Sequence, residues 1–269
     1  MPIIERGALR VDLIDEGTGP PVVLSHSSVA GNRQWKRLIE SLRDRYRVLA
    51  PNLHGYGQTT AWTVDGTLTI DAAAEVLLAV CEEFDEPVRL VGHSWGGGVA
   101  LAAARKLGAR VSHLVLFEPM LPSMLLEHGR TEAWAEASAL YSDVKRLGGA
   151  QQWKALARRF SDYFNGDGAW EATPGERQEA IAALLLPNYF EWDAAVVPTN
   201  AVSFSGVSAR TLLMRSAGTR LVLHAAVDIL SEAFPHWQLI ELADGGHMAP
   251  LTRSDVVNPL IGSFLDFPS

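Results

Sequence analysis

The stretch VRLVGHSWGGGVALAAA, residues 88–104, decides the fold of this chain. Its opening, VRLVGH, has the pattern of a buried strand, and the small residues that follow are compatible with a helix. Ser94 lies between the two parts in the pattern Gly-x-Ser-x-Gly, with Gly92 and Gly96 as the glycines. A strand that turns directly into a helix around this pattern is a nucleophile elbow. The stretch therefore predicts a nucleophilic serine at a strand–helix junction.

The glycines on both sides of Ser94 have a steric reason. A serine hydroxyl is exposed best on a sharp turn, and there the strand and the helix come so close that side chains two residues away would clash. Glycine removes that clash. The beginning of the helix also points backbone N–H groups at the turn, which favours a developing negative charge.

The remainder of the chain alternates short apolar runs with longer helical patterns. This rhythm predicts an α/β fold with a mostly parallel sheet that is covered by helices. Residues 3–17 predict two antiparallel strands at one edge of the sheet. Besides residues 88–93, the strand-like runs are residues 21–26, 46–51, 113–118, 209–215 and 237–242.

The strand rhythm stops between Pro119 and about Ser208, where we find only helical patterns. We therefore predict a helical cap at residues 122–205, inserted into a core of residues 1–121 and 206–269. Two patterns predict helix ends in the cap: a glycine pair at 148–149 as a C-cap, and Thr173 to Glu176 as a capping box with Pro174 at the first helical position. Four tryptophans either fill the small core of the cap or form an apolar roof over a cleft: Trp134, Trp153, Trp170 and Trp192.

Composition excludes several classes of function. The net charge of −8 and the scattered basic residues argue against nucleic-acid binding. The first residues show no signal peptide, and no window approaches the roughly 20 apolar residues that span a bilayer. Cys81 is the only cysteine, so we expect a packed free thiol, no disulfide within the chain and a cytoplasmic location.

Four motifs carry a resemblance that covers nearly the whole chain. They are GHSWGG at 92–97, LSHSS at 24–28 with Trp35, APNLHGYGQT at 50–59 and ADGGHMAPL at 243–251. With these motifs the chain resembles the α/β-hydrolase superfamily in its cap-bearing branch. The resemblance implies the α/β-hydrolase fold and a serine hydrolase of the esterase type.

A serine nucleophile needs a base, because its hydroxyl is hardly ionised at neutral pH. His247 follows the last strand in a glycine-rich loop, at the carboxyl edge where ligands bind in parallel sheets, and the resembled family places its base at this point. A zinc cluster of His26, His54 and His247 is the alternative, but it lacks spaced carboxylate or thiolate partners. We therefore expect His247 to be the base, and neither a metal nor an organic cofactor.

The base in turn needs a carboxylate that orients it and stabilises its positive charge. Many family members carry this acid after the strand that follows the cap, but residues 210–227 contain no acid and Asp228 falls inside a helix. Glu118 ends the preceding strand-like run, and some relatives, including haloalkane dehalogenases, look similar in carrying the acid there. We predict Glu118, with a glutamate that merely anchors the cap as the alternative.

The resemblance also assigns the oxyanion hole and the substrate contacts. The N–H groups of Trp95 and Ser28 are expected to hold the oxyanion. Ser27 stands where relatives usually have glycine, a departure that affects the backbone path of this loop. His26 is expected to be a structural hydrogen-bonding residue more than a catalytic one. The predicted substrate-binding residues are Trp153, Trp192, Met120 and Met248.

The expected function is hydrolysis of a small-to-medium carboxylic ester or lactone through an acyl-enzyme. Hydrolysis of a carbon–carbon bond in a diketone is the chemical alternative, because the same triad serves both reactions. A ligand receptor that retains the triad is the alternative from another class. We expect a small-molecule substrate, with no nucleic-acid or membrane partner, and the oligomeric state stays open.

Overall fold

The computed structural model describes residues 2–62 and 66–268. The described residues form one eight-stranded sheet. Its strands, in chain order, are β1 (Ile3–Arg6), β2 (Leu9–Glu16), β3 (Pro21–Ser25), β4 (Arg47–Pro51), β5 (Val88–His93), β6 (Val111–Phe117), β7 (Arg210–Ser216) and β8 (Gln238–Leu242). Their spatial order is β1-β2-β4-β3-β5-β6-β7-β8.

The sheet is mostly parallel, as the sequence predicts. In this order the pairs from β4 to β8 are parallel, whereas β1 pairs antiparallel with β2, and β2 pairs antiparallel with β4, at the predicted edge. Successive residues of a strand point to opposite faces, so Val22 and Leu24 pack on one side of the sheet while Val23 packs on the other. Because both faces are covered, the central strands are predominantly apolar, and all parallel strands present their carboxyl ends at one edge.

Eleven α-helices accompany the sheet within the described residues. They are α1 (Lys36–Leu42), α2 (Ile70–Cys81), α3 (Trp95–Leu107), α4 (Ser123–Glu127), α5 (Thr131–Gly149), α6 (Trp153–Asn165), α7 (Gly175–Ala183), α8 (Leu185–Ala195), α9 (Leu221–Ala233), α10 (Ala249–Thr252) and α11 (Ser254–Leu265). Helices α2 and α3 pack together on one face, and α1 packs with α11 on the other. None of these helices combines the length and the apolar character that a bilayer crossing requires.

Helices α4 to α8 lie between β6 and β7, and residues 118–209, which are described throughout, form no strand. Helix α5 connects this helical segment to the sheet layer, because it packs against α6 and α8 on one side and against α9 on the other. The division into core and cap at residues 122 and 205 stays a prediction. We use the word cap below for the segment from α4 to α8.

Two predicted helix ends in the cap are wrong. Gly148 and Gly149 are the last residues of α5 rather than its C-cap, and the left-handed φ of 54° falls on Gln151. Gly148 is small for a different reason, since a Cβ there would lie 2.5 Å from the ring of Tyr189. Thr173 forms no capping box, because its hydroxyl donates to the Ala169 carbonyl (2.8 Å) and α7 begins after Pro174.

Candidate active site

Ser94 lies at the junction of β5 and α3 with a φ of 56°, in the left-handed region that L-residues rarely adopt. The two flanking glycines are required sterically. A Cβ at Gly92 would lie 2.5 Å from the carbonyl oxygen of Gly96, and one at Gly96 would lie 2.3 Å from the carbonyl oxygen of His26. The strand, the helix and the loop after β3 therefore meet at backbone distance around the serine.

The structure brings Ser94, His247 and Glu118 together in one line of hydrogen bonds. His247 Nδ1 lies 2.7 Å from Glu118 Oε2, and His247 Nε2 lies 2.9 Å from Ser94 Oγ. Because a carboxylate accepts and does not donate, the ring proton lies on Nδ1. Nε2 is then free to accept the proton of the serine hydroxyl. This is the geometry that a general base and its nucleophile need.

Glu118 is fully buried directly after β6, with a φ of 43°. Besides His247, two donors hold its carboxylate: the N–H of Ser216 (2.8 Å) and the hydroxyl of Thr219 (2.7 Å). Asp228 lies elsewhere, on α9, where it pairs with Arg215 and contacts the ring of His224. Of the two acids weighed from the sequence, only Glu118 is in contact with His247.

The side chains of His93 and Gln34 hold the base and the loop after β3, a role that no sequence motif predicts. His93 Nε2 lies 2.9 Å from the carbonyl oxygen of His247, and Gln34 Nε2 lies 3.1 Å from His93 Nδ1. Burial lowers the pKa of His93 well below its usual range, so the ring is neutral, donates to His247 and accepts from Gln34. The other end of Gln34 accepts from the N–H and the hydroxyl of Ser27.

The N–H groups of Ser27 and Ser28, in the loop after β3, differ in their partners. The N–H of Ser27 is taken by Gln34 (3.0 Å), whereas the N–H of Ser28 has no acceptor among the described residues. The N–H of Trp95 belongs to the first turn of α3, where helices have no internal acceptor. Ser27, in the place where relatives usually have glycine, therefore serves as an anchor for the loop.

His26 lies below this loop and belongs to the backbone framework. Its Nδ1 lies 2.8 Å from the carbonyl oxygen of Ser27, and its Nε2 accepts from the N–H of Leu53 (3.0 Å). Burial lowers its pKa to about 4, so the ring is neutral at pH 7. Within residues 2–62 and 66–268, no three side chains of the types that bind metals converge on one point.

A cavity of about 440 Å³ opens above Ser94 and His247. Three of the four predicted substrate-binding residues line it: Trp192, Met120 and Met248. Trp153 does not line the cavity, so the prediction that it contacts the substrate is wrong. Its ring lies against Gly148 and, at 6.5 Å between ring centres, against Tyr189 on the outer side of the cap. The volume is in the range of small-molecule sites.

A carboxyl group of the cap also reaches into the wall of this cavity. Glu191 on α8 accepts from the hydroxyl of Ser28, from the hydroxyl of Tyr56 and, at 3.4 Å, from the amide of Asn188. Burial raises the pKa of Glu191 to about 7, although these three donors act in the opposite direction. Tyr56 accepts in turn from the N–H of Val29, a β-branched residue with a φ of 61°.

The sequence matches the alpha/beta hydrolase family over residues 10–260. The chain belongs to this family. Haloalkane dehalogenase 2 of Mycobacterium bovis is 34% identical over 271 aligned residues, which cover 88% of this chain and 85% of that protein.

The names of other relatives describe different activities. Lipase LipV of Mycobacterium tuberculosis is 29% identical over 269 aligned residues, which cover 92% of this chain and 94% of the lipase. The crystal structure of an esterase from Exiguobacterium antarcticum superposes with a TM-score of 0.80 at 20% identity, and covers 98% of this chain and 99% of that chain. The fold is therefore shared with the esterase, whereas the activities in the names of these proteins differ.

Proposed function

We propose that this protein is a serine hydrolase that cleaves a carboxylic ester or lactone of small to medium size. The observation that carries the proposal is the line from Glu118 Oε2 through the His247 ring to Ser94 Oγ, with steps of 2.7 and 2.9 Å, on the floor of a cavity. A nucleophile, a base and an orienting acid in this order are what acyl transfer requires.

The mechanism follows from the tautomer of His247. The serine hydroxyl gives its proton to Nε2 while Oγ forms a bond to the acyl carbon. Negative charge then develops on the carbonyl oxygen, where the N–H groups of Ser28 and Trp95 are free to donate. His247 returns the proton to the leaving alkoxide as the ester bond breaks, and water cleaves the resulting acyl-enzyme by the same steps in reverse. Glu118 stabilises the imidazolium throughout.

We do not propose dehalogenase activity for this chain, although a haloalkane dehalogenase is among its relatives. Dehalogenases of this superfamily use an aspartate nucleophile, whose attack on an alkyl halide gives an ester that water can cleave. Attack by the Ser94 hydroxyl would give an ether, and no group in this site cleaves ethers. The residue at the elbow therefore favours acyl substrates over alkyl halides.

A panel of substrates tests the proposal. Purified protein is assayed with p-nitrophenyl esters of increasing chain length, with lactones, with a diketone and with 1-chlorobutane, and the Ser94→Ala variant is the control. Repeated turnover of esters or lactones by the wild type alone supports the proposal. Turnover of the diketone alone would indicate a carbon–carbon bond hydrolase, and a single slow turnover that leaves a stable adduct would indicate a receptor. Either of those results would contradict the proposal.

A further inference from the structure

Two buried oxygen atoms of α8 have no hydrogen-bond donor among the residues that the structure describes. Asn188 and Glu191 are 1% and 4% exposed, are three residues apart on one helix face, and both line the cavity above Ser94. The amide NH₂ of Asn188, rather than its oxygen, faces Glu191 Oε2, because a carboxylate oxygen accepts a hydrogen bond and only the NH₂ can donate one. Asn188 Oδ1 and Glu191 Oε1 are then left without a protein partner among the described residues.

An unpaired buried acceptor destabilises a protein, and buried polar groups are satisfied in the great majority of cases. Two such acceptors on neighbouring side chains, in a cavity that contains a nucleophile, need donors that come from elsewhere. A bound substrate with hydrogen-bond donors would satisfy both. An alkyl chain would leave both unpaired, and sites of this kind discriminate strongly against the molecule that lacks the donor.

The charges around the cavity favour a neutral donor over an ammonium group. Arg33 and Arg177 line the same cavity, both are exposed, and neither has an acidic partner among the described residues. An ammonium group that enters this cavity would meet a lining that carries two positive side chains. A hydroxyl or an amide N–H donates to the same acceptors without that repulsion.

The position of the two acceptors relative to the catalytic groups limits where the donor lies on the substrate. The Ser28 hydroxyl donates to Glu191, while the backbone N–H of the same Ser28 is the proposed oxyanion donor. Glu191 therefore lies beside the loop that carries the proposed oxyanion donor, and Asn188 lies next to Glu191 on the same helix. A donor a few bonds from the acyl carbon would reach them.

We propose that Asn188 and Glu191 recognise a hydroxyl or amide N–H close to the scissile carbonyl, so that hydroxyacyl or N-acyl-amino esters are preferred to plain alkyl esters. This inference rests on the proposed ester hydrolysis by Ser94. It adds a specificity-determining pair and a substrate class to that function.

Two matched pairs of esters test the inference with the full-length protein. The first pair is p-nitrophenyl 3-hydroxybutyrate and p-nitrophenyl butyrate, which differ by one hydroxyl. The second pair is the p-nitrophenyl esters of N-acetylglycine and of 4-oxopentanoate, in which CH₂ replaces the N–H. Each net hydrogen bond to a buried acceptor corresponds to about a tenfold change in kcat/KM. We expect the wild type to prefer the donor-bearing ester by about tenfold or more in at least one pair.

Two variants test whether Asn188 and Glu191 cause this preference for the donor-bearing ester. Asn188→Leu and Glu191→Gln are expected to bring the ratio of kcat/KM within the pair close to one, whereas Asp193→Asn keeps the wild-type ratio. Asp193 is a matched control because it lies on the same helix but pairs with Lys145 (2.9 Å) outside the cavity. Since each ratio compares two esters on one protein, a partial loss of folded enzyme cancels.

The outcomes separate the inference from the function on which it rests. Equal rates within both pairs in the wild type would overturn the inference, and so would a preference that survives both variants. A preference in only one pair supports it and identifies the donor as a hydroxyl or as an N–H. Hydrolysis of none of the four esters, with Ser94 also unlabelled by a fluorophosphonate probe, would instead overturn the proposed function.

Discussion

Replacing Glu118 by glutamine tests how the acid acts on the base. The carboxylate of Glu118 accepts from the Ser216 N–H, from the Thr219 hydroxyl and from His247 Nδ1. In Glu118→Gln the amide oxygen must face the Ser216 N–H, because that group can only donate. The amide NH₂ then faces His247 Nδ1 and makes that nitrogen an acceptor. The ring proton moves to Nε2, where it opposes proton transfer from Ser94.

The expected loss in kcat is therefore that of a triad with the wrong tautomer, about 10⁴-fold, or about 5 kcal/mol of activation free energy. The fold is expected to survive, because the Ser216 bond persists and the Thr219 hydroxyl can rotate to accept from the new amide. The assay is kcat on the ester that the wild type cleaves best, with thermal unfolding measured in parallel.

Asp228→Asn is the matched control for this change. It removes an equal charge from the other acid considered for the triad, which pairs with Arg215 and lies 36% exposed on α9. We expect kcat to change by less than about twofold, since Asp228 contacts Arg215 and His224 rather than His247. A Glu118→Gln protein that is folded and retains more than a tenth of the wild-type kcat would refute the reasoning, as would a large loss in Asp228→Asn.

Three further results are expected. Ser94→Ala should remain folded and lose about 10⁶-fold in kcat, the scale of nucleophile removal in other triads; near-normal activity in pure protein would exclude Ser94 as the nucleophile. Trp192→Ala should raise KM or shift the chain-length preference, whereas Trp153→Ala, outside the cavity, should leave KM unchanged; equal effects would contradict our placement of the substrate. Burial raises the pKa of Glu191 from 4.5 to about 7, so its contribution to stability is present below pH 4.5 and is lost as the pH rises to 7. Relative to Glu191→Gln, the wild type should lose about 3 kcal/mol of unfolding free energy over that interval, measured by urea unfolding at each pH; parallel curves would show that the carboxyl ionises normally.

The features that the sequence predicts correctly depend on local residue patterns and on the order of the elements. The strand–turn–helix around Ser94 depends on apolar runs and on glycines whose positions follow from steric contact. The proximity of Glu118 to His247 follows from topology, because the carboxyl ends of the parallel strands β6 and β8 lie at the same edge of the sheet, on either side of β7. Both features can be read from the chain because they depend on the periodicity and order of the elements rather than on individual side-chain packing.

The features that the sequence does not predict depend on how the cap helices face each other. A helical period places Trp153 on an apolar face, but it does not say whether that face meets the cavity or another helix. The glycines at the end of α5 look like a stop signal, yet Gly148 is small because Tyr189 packs against it. In the sequence, Glu191 has the pattern of an ordinary polar residue of an amphipathic helix. Only the packing of α8 over the loop after β3 shows that it is buried beside Ser28.

The backbone couples the proposed nucleophile to the proposed acid. Ser94 and Glu118, at the ends of adjacent strands β5 and β6, both have a positive φ, a conformation that costs roughly 1–3 kcal/mol for each such residue. Three backbone hydrogen bonds hold this conformation, and each is between 2.9 and 3.0 Å long. They run from the Ser94 N–H to the Phe117 carbonyl, from the Glu118 N–H to the Met214 carbonyl, and from the Met120 N–H to the Ser94 carbonyl. Because main-chain atoms at the carboxyl edge of the sheet make these bonds, the sheet sets the backbone positions of Ser94 and Glu118 relative to each other. Substitutions in the cap can then change the substrate without moving Ser94 relative to Glu118, which is consistent with one fold supporting relatives whose named activities differ.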